Sequence, residues 1–266
     1  MGKVISISNH KGGVGKTTST VNIGAGLSQG KSGKTILLVD LDPQANLSQS
    51  LDVFQPDYTV YGALRGEYPL KPIEITPKLH LVASTLDLSG AEVELSSEPG
   101  REYILRDLLE PLRGKYDYIL IDCPPSLGLL TVNALSASDE IYIPLQTQYL
   151  ALQGITKLME VVEKIRARLN KKLELGGVIL TQFDSRKILD RDVASSISNH
   201  FKDKVFKTRI RDNVSLAEAP TQGKDIFRYS PKSMGAEDYA SLCQEILKNS
   251  RNHDKHGNKS KQNNRG

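Results

Sequence analysis

Val4-Ile5-Ser6-Ile7-Ser8-Asn9-His10-Lys11-Gly12-Gly13-Val14-Gly15-Lys16-Thr17-Thr18 runs from an apolar, β-branched stretch through a glycine-rich turn into residues of helical habit. Strand, glycine loop and helix in that order form a phosphate-binding turn. Glycines let successive backbone N–H groups point inward as a nest for anionic oxygens, and the helix that follows adds its positive end. In such a turn Lys16 reaches the β- and γ-phosphates of a nucleotide, and the Thr17 hydroxyl ligates Mg²⁺. Gly12, Gly13, Val14, Gly15 and Thr18 complete the candidate nucleotide-binding set. The spacing G-x-x-x-x-G-K-[ST] is not met, because His10 stands where its first glycine belongs. A second lysine, Lys11, opens the loop instead.

Outward from the loop, short apolar runs recur: Val4 to Ser8, Thr35 to Asp40, Leu79 to Ala83, Tyr118 to Asp122, Glu140 to Leu145, Gly177 to Phe183 and Val205 to Ile210. Between them lie segments of helical period, such as Tyr103, Leu105, Leu108, Leu109, Leu112 and Ile155, Leu158, Val162, Ile165, Leu169. A last helix is expected over about 236–247, with Tyr239, Leu242, Cys243 and Ile246 on one side. Alternation of this kind predicts an α/β fold, a mostly parallel twisted sheet with helices on both faces. Ligands of such sheets bind at the carboxyl ends of the strands. Two strands deliver carboxylates there, Ile36 to Asp40 followed by Asp42, and Tyr118 to Asp122. Asp122 is placed to hold Mg²⁺ with Thr17, and Asp40 and Asp42, two apart, are expected to point the same way toward metal or attacking water.

Asn9 to Thr18, Val39-Asp40-Leu41-Asp42-Pro43-Gln44-Ala45-Asn46, Ile121-Asp122-Cys123-Pro124-Pro125, Leu180 to Arg186 and Asn213 to Pro220 together resemble the ParA/Soj family of partition ATPases. These belong to the deviant Walker A group of P-loop NTPases, and the resemblance spans Lys3 to Lys248. It implies a weak Mg²⁺-dependent ATPase that forms a homodimer with ATP, in which Lys11 reaches across to the partner's phosphates. A cation supplied in trans acts as an arginine finger does. Lys11, Lys16 and Asp42 are thus the catalytic candidates, Asp42 matching the family's hydrolytic aspartate. The family also implies non-specific DNA binding, a ParB-like partner that stimulates hydrolysis, and a nucleoid-associated location in the cytoplasm. Arg186 matches a DNA-contacting arginine of the family, with Lys187, Arg211, Lys224 and Lys232 as further candidates for contacts to DNA phosphates. Ser215 stands where many relatives carry arginine, which favours the alternative of a ParA-like switch that positions a protein cargo with little DNA binding. In relatives the adenine pocket forms near Phe183 and Asn213.

The chain has 266 residues, 25% of them charged, with a formal net charge of +4. Five Lys or Arg against one Asp in the stretch from Asn249 to Gly266 account for that charge, leaving a formally neutral body. Apolar period stops at Lys248, so residues 1–248 are expected to form one ATPase domain and 249–266 a basic, polar, disordered tail. That tail has no aliphatic or aromatic residue to bury in a bilayer, which argues against a MinD-type membrane anchor. No run reaches the roughly 20 apolar residues of a membrane span, and the N-terminus has no secretory pattern. Cys123 and Cys243 lie far apart, outside any CxxC pair, which excludes a zinc site or iron–sulfur scaffold of that type.

Overall fold

The computed structural model describes residues 2–30, 33–148 and 151–263; the side chains of the tail cations Arg251 to Arg265 lie outside the described residues. The strands are β1 (Lys3–Ile7), β2 (Ile36–Asp40), β3 (Ile73–Thr76), β4 (Leu79–Val82), β5 (Tyr118–Asp122), β6 (Glu140–Gln146), β7 (Glu174–Phe183) and β8 (Val205–Arg211). They form one sheet in the order β3-β4-β2-β5-β1-β6-β7-β8, with every pair parallel except β3 and β4. Each of the seven apolar runs is a strand, and β3 is an eighth that the sequence does not announce. It is short, only partly buried, bounded by Pro72 and Pro77, and lies at the sheet edge, where missing N–H donors are tolerated.

The helices are α1 (Lys16–Ser28), α2 (Asn46–Gln49), α3 (Val60–Leu64), α4 (Ala91–Glu94), α5 (Ile104–Leu109), α6 (Leu129–Ala137), α7 (Ala151–Arg168), α8 (Ile188–Phe201), α9 (Val214–Glu218), α10 (Ile226–Tyr229) and α11 (Met234–Asn263). The helix expected from Tyr103 to Leu112 is broken into α5 and flanking 3₁₀ turns. Pro111 explains the downstream break, since it cannot donate to the ladder of a helix interior. At the other end α11 does not stop near Leu247. Its backbone runs on to Asn263, past Lys248, into the stretch expected to be disordered, through a sequence that contains no proline.

Strand side chains alternate strictly between two faces. Ile5, Ile36, Leu38 and Leu120 pack with α1 and α11, against Ile23, Tyr239, Leu242 and Ile246. Val4, Leu37, Val39, Ile119 and Ile121 face the opposite way, toward α3, α5 and α6. Farther along the sheet Ile141, Ile143, Val178 and Leu180 meet α7 and α8. Burial on both faces is what makes each strand a continuous apolar run rather than an alternating one. It also fixes register, because a one-residue slip would exchange the faces.

Neighbouring strands are drawn together on β7 by two glycines. A Cβ on Gly177 would lie 2.2 Å from Phe206 Cε2, and one on Gly176 2.4 Å from Tyr142 Cε1. Those rings meet edge to face at 5.3 Å, filling the space the missing side chains leave. Gly177→Ala is therefore expected to destabilise the protein by about 1–3 kcal/mol through overpacking. Urea unfolding should record this as a lower midpoint with an unchanged slope.

Candidate active site

The phosphate loop leaves β1 at the carboxyl edge of the sheet and enters α1. Its turn needs two left-handed residues, Gly13 at φ 73° and Gly15 at φ 81°, a conformation that costs an L side chain about 1–2 kcal/mol. A Cβ built on Gly12 or Gly13 meets nothing within 4 Å, so the loop borders open space at both positions. Asn9 braces the near end: its Nδ2 donates to Pro144 O at 2.8 Å and its Oδ1 accepts from Lys11 N at 3.0 Å.

The far side of the loop is held by β7. Thr181 Oγ1 donates to Val14 O at 2.9 Å, and Gln182 Nε2 donates to Gly13 O at 2.8 Å. Gln182 is itself left-handed, at φ 50°, and its Oε1 accepts from Gln146 Nε2 at 2.6 Å. These two tethers hold the loop, and the glycine motif does not reveal them. The available signal was their position, polar side chains at the end of a strand that reaches the ligand edge.

The same left-handed residue corrects the expectation for Phe183. Its reversal swings Phe183 into the apolar cluster that holds Leu180, 5% exposed, with the Arg209 guanidinium 4.5 Å from its ring centre. Phe183 is a core residue and does not line the cavity beside the loop. A cavity of about 140 Å³ beside the loop is lined instead by Gly15, Thr18, Gln182, Asn213, Leu216 and Tyr239. Asn213 lines that cavity, and its side chain also caps α9 by accepting from Ser215 N at 3.0 Å.

The two loop lysines differ in placement. Lys16 is 7% exposed and turns back to donate to Lys11 O at 3.1 Å. Burial pulls its ammonium below the usual value, opposed by the carboxylates of Asp122 and Asp42. Lys11 is exposed, and its Nζ leaves the loop to donate to Gln148 Oε1. His10 is partly buried, its Nδ1 unpartnered, and burial lowers its proton affinity with help from Lys157 and Lys16.

Thr17 Oγ1 donates to Asp122 Oδ2 at 2.7 Å, and Thr20 Oγ1 to Asp122 Oδ1 at 3.2 Å. Burial raises the Asp122 carboxyl, and the charge of Asp40, its register partner on β2, raises it further. Hydroxyl and carboxylate oxygens side by side suit a hard cation such as Mg²⁺, and a cation there relieves the repulsion between the two buried acids. Asp40 does not join that pair as expected. Its Oδ2 accepts from Ser48 N at 2.8 Å and Ser48 Oγ at 2.7 Å, and its Oδ1 from Asp42 N at 3.2 Å. It holds the turn into α2 in shape. Asp42, past the strand end, accepts from Gln44 N at 2.9 Å through Oδ1 and is 7% exposed.

Among the candidate DNA contacts, Arg186 has a side chain 89% exposed, with Nε and Nη2 both 2.9 Å from Asp184 oxygens. Lys187, Lys224 and Lys232 are exposed. Arg211 is not a free cation: it pairs with Asp238 at 2.6 Å and Glu237 at 2.7 Å and borders the cavity beside the loop. Among the described residues no helix is long and apolar enough to cross a membrane.

Residues 2–175 match the family described as "AAA domain". The chain is 44% identical over 254 residues to the chromosome partitioning protein ParA of Myxococcus xanthus, covering 93% of this chain and 89% of that protein. It is 45% identical over 254 residues to the sporulation initiation inhibitor protein Soj of Bacillus subtilis, covering 94% and 100%. Among solved structures it superposes on cobyrinic acid a,c-diamide synthase from Mycobacterium smegmatis, bound to an ATP analogue and magnesium. The TM-score is 0.83 at 32% identity, over 94% of this chain and 96% of that one.

The structural role of Asp40 has a ligand-free test. Asp40→Ala strands two backbone donors and a hydroxyl, and is expected to cost about 2–3 kcal/mol in the nucleotide-free protein, measured by urea unfolding.

Proposed function

Because the chain belongs to the ParA/Soj family of partition ATPases, we propose that ATP closes two copies into a sandwich dimer that binds DNA without sequence preference. A ParB-like partner then stimulates hydrolysis and release. The chain is an ATP hydrolase that works with Mg²⁺. One observation carries the dimer: two lysines on one loop, with Lys16 folded inward and Lys11 directed out of it. A single set of phosphates does not need both, and an exposed lysine at the mouth of the cradle is available to a second copy.

In this reading the N–H groups of the Gly12–Thr18 turn and the Lys16 ammonium bind and orient the phosphates. Thr17 and Asp122 would hold Mg²⁺, which supplies neutralising charge to the β- and γ-phosphate oxygens. Asp42, at the same sheet edge, orients the attacking water. Lys11 of the opposite copy adds positive charge where the transferring phosphoryl group gains negative charge. Hydrolysis thus depends on dimerisation. The base sits in the cavity between Gln182, Asn213 and Leu216.

Arg186, Lys187, Lys224 and Lys232 are the exposed cations offered to DNA, and binding there places the protein on the nucleoid. The pairing of Arg211 with Asp238 and Glu237, and of Arg186 with Asp184, removes much of the free positive charge. That favours, as a second reading, a cargo-positioning switch with little DNA binding.

Lys11→Ala is expected to abolish ATP-dependent dimerisation in light scattering and to lower stimulated turnover by ~10²-fold or more, with nucleotide affinity largely kept. Undiminished dimerisation would remove Lys11 from the trans role. Asp42→Ala is expected to retain ATP-dependent DNA binding but to release from DNA far more slowly after ATP is withdrawn, as followed by surface-binding kinetics. For the wild type, affinity for a non-specific duplex with ATP should fall steeply across a salt series. Absence of ATP-dependent binding at low salt selects the cargo-positioning reading.

A further inference from the structure

Thr181 and Gln182 are consecutive on β7, yet both reach the phosphate loop, where they hold the consecutive carbonyls of Val14 and Gly13 at 2.9 and 2.8 Å. Side chains of neighbouring strand residues ordinarily point to opposite faces. The left-handed backbone of Gln182, φ 50°, breaks that alternation and brings the second side chain to the loop as well. Such a conformation is unfavourable for a glutamine, and outliers of this kind persist where the surrounding contacts demand them.

The contact with the loop also fixes which way the Gln182 amide faces. Gly13 O can only accept, so Gln182 presents its NH₂ there and its Oε1 on the other side. Gln146, the register partner of Thr181 on β6, completes the chain: its Nε2 donates to Gln182 Oε1 at 2.6 Å. Two amides in series that end on a carbonyl have one polarity only, and the group at their head must be a donor. β6 grips the near end of the loop too, since Pro144 O, two residues before Gln146, accepts from Asn9 Nδ2 at 2.8 Å.

The C=O and N–H of a trans peptide point opposite ways. With Gly13 O and Val14 O held toward β7, the N–H groups of Val14 and Gly15 point away from it, the arrangement that a backbone nest for phosphate requires. We propose, on the reading of residues 12–18 as the phosphate turn, that Gln146 is a positioning residue for the nucleotide. It does not touch the ligand. Through Gln182 it keeps the Gly13–Val14 peptide turned with its N–H toward the phosphate oxygens. Without a donor at position 146 the Gln182 amide is free to turn over, Gly13 O loses its hydrogen bond, and the peptide can rotate its carbonyl toward the anion it should attract.

The test uses the full chain with Mg-ADP as the probe, titrated by calorimetry. Gln146→Met keeps the length and bulk of the side chain but cannot donate. It is expected to weaken ADP binding about fivefold, the worth of one hydrogen bond, and to raise KM for ATP by the same factor with the kcat of basal hydrolysis unchanged. A substitution that only loosened the fold would remove active molecules and lower the apparent kcat instead. Placed in a Gln182→Met background, where the tether is already gone, Gln146→Met is expected to change nothing further, so the two effects do not add. Lys16→Ala is the control on the phosphate turn itself and should lose far more ADP affinity than Gln146→Met. If it does, and Gln146→Met binds ADP as the wild type does or weakens it equally in the Gln182→Met background, the positioning role is overturned and the phosphate turn stands. If Lys16→Ala leaves ADP affinity intact, both fall.

Discussion

Asp40 and Asp122 stand in register on adjacent parallel strands, both fully buried at the edge where the phosphate loop turns. Two like charges in that position repel and resist ionisation, and the rest of the site is arranged around how each is relieved. Asp40 spends its oxygens on Ser48 and the Asp42 amide, which converts it into a structural brace for the α2 turn. Asp122 instead faces hydroxyls, Thr17 and Thr20, both on the first turns of α1. A hydroxyl can donate to a carboxylate and also offer lone pairs to a cation. One acid is thereby committed to the fold and the other is left beside two hydroxyls at the phosphate loop, although in sequence both are an aspartate closing an apolar strand.

That difference marks where sequence reading stops. The seven main strands were legible because burial on both faces writes them as unbroken apolar runs, as in Ile36-Leu37-Leu38-Val39. β3 was not, because an edge strand with one wet face and a proline on either side carries no such run. The glycine loop and its lysines were legible because their chemistry is local. Thr181 and Gln182 act on the loop from more than 160 residues away, and only their place at a strand end hints at it. Phe183 illustrates the converse: an aromatic residue near a base pocket invites a stacking role, and a single left-handed residue before it sends the ring into the core.

The charge pattern is likewise resolved only in three dimensions. Arg186 and Arg211 are equivalent in a count of cations, yet each is held by neighbouring acids, Asp184 within its own loop and Glu237 with Asp238 on α11. Exposed ion pairs of this sort contribute little to stability. They do set how much positive potential the surface presents, so local pairing and not the total of +4 decides the field that a polyanion would meet.

Gly12 and its neighbour Gly13 both face open space, but only Gly13 has a backbone that demands glycine. At Gly12, then, neither the backbone angle nor a neighbouring atom of the folded chain penalises a larger residue. The position separates two selective pressures that usually coincide at a glycine. A methyl group there would be nearly invisible to folding, so any loss of nucleotide affinity in Gly12→Ala would report on the ligand and not on the stability of the chain.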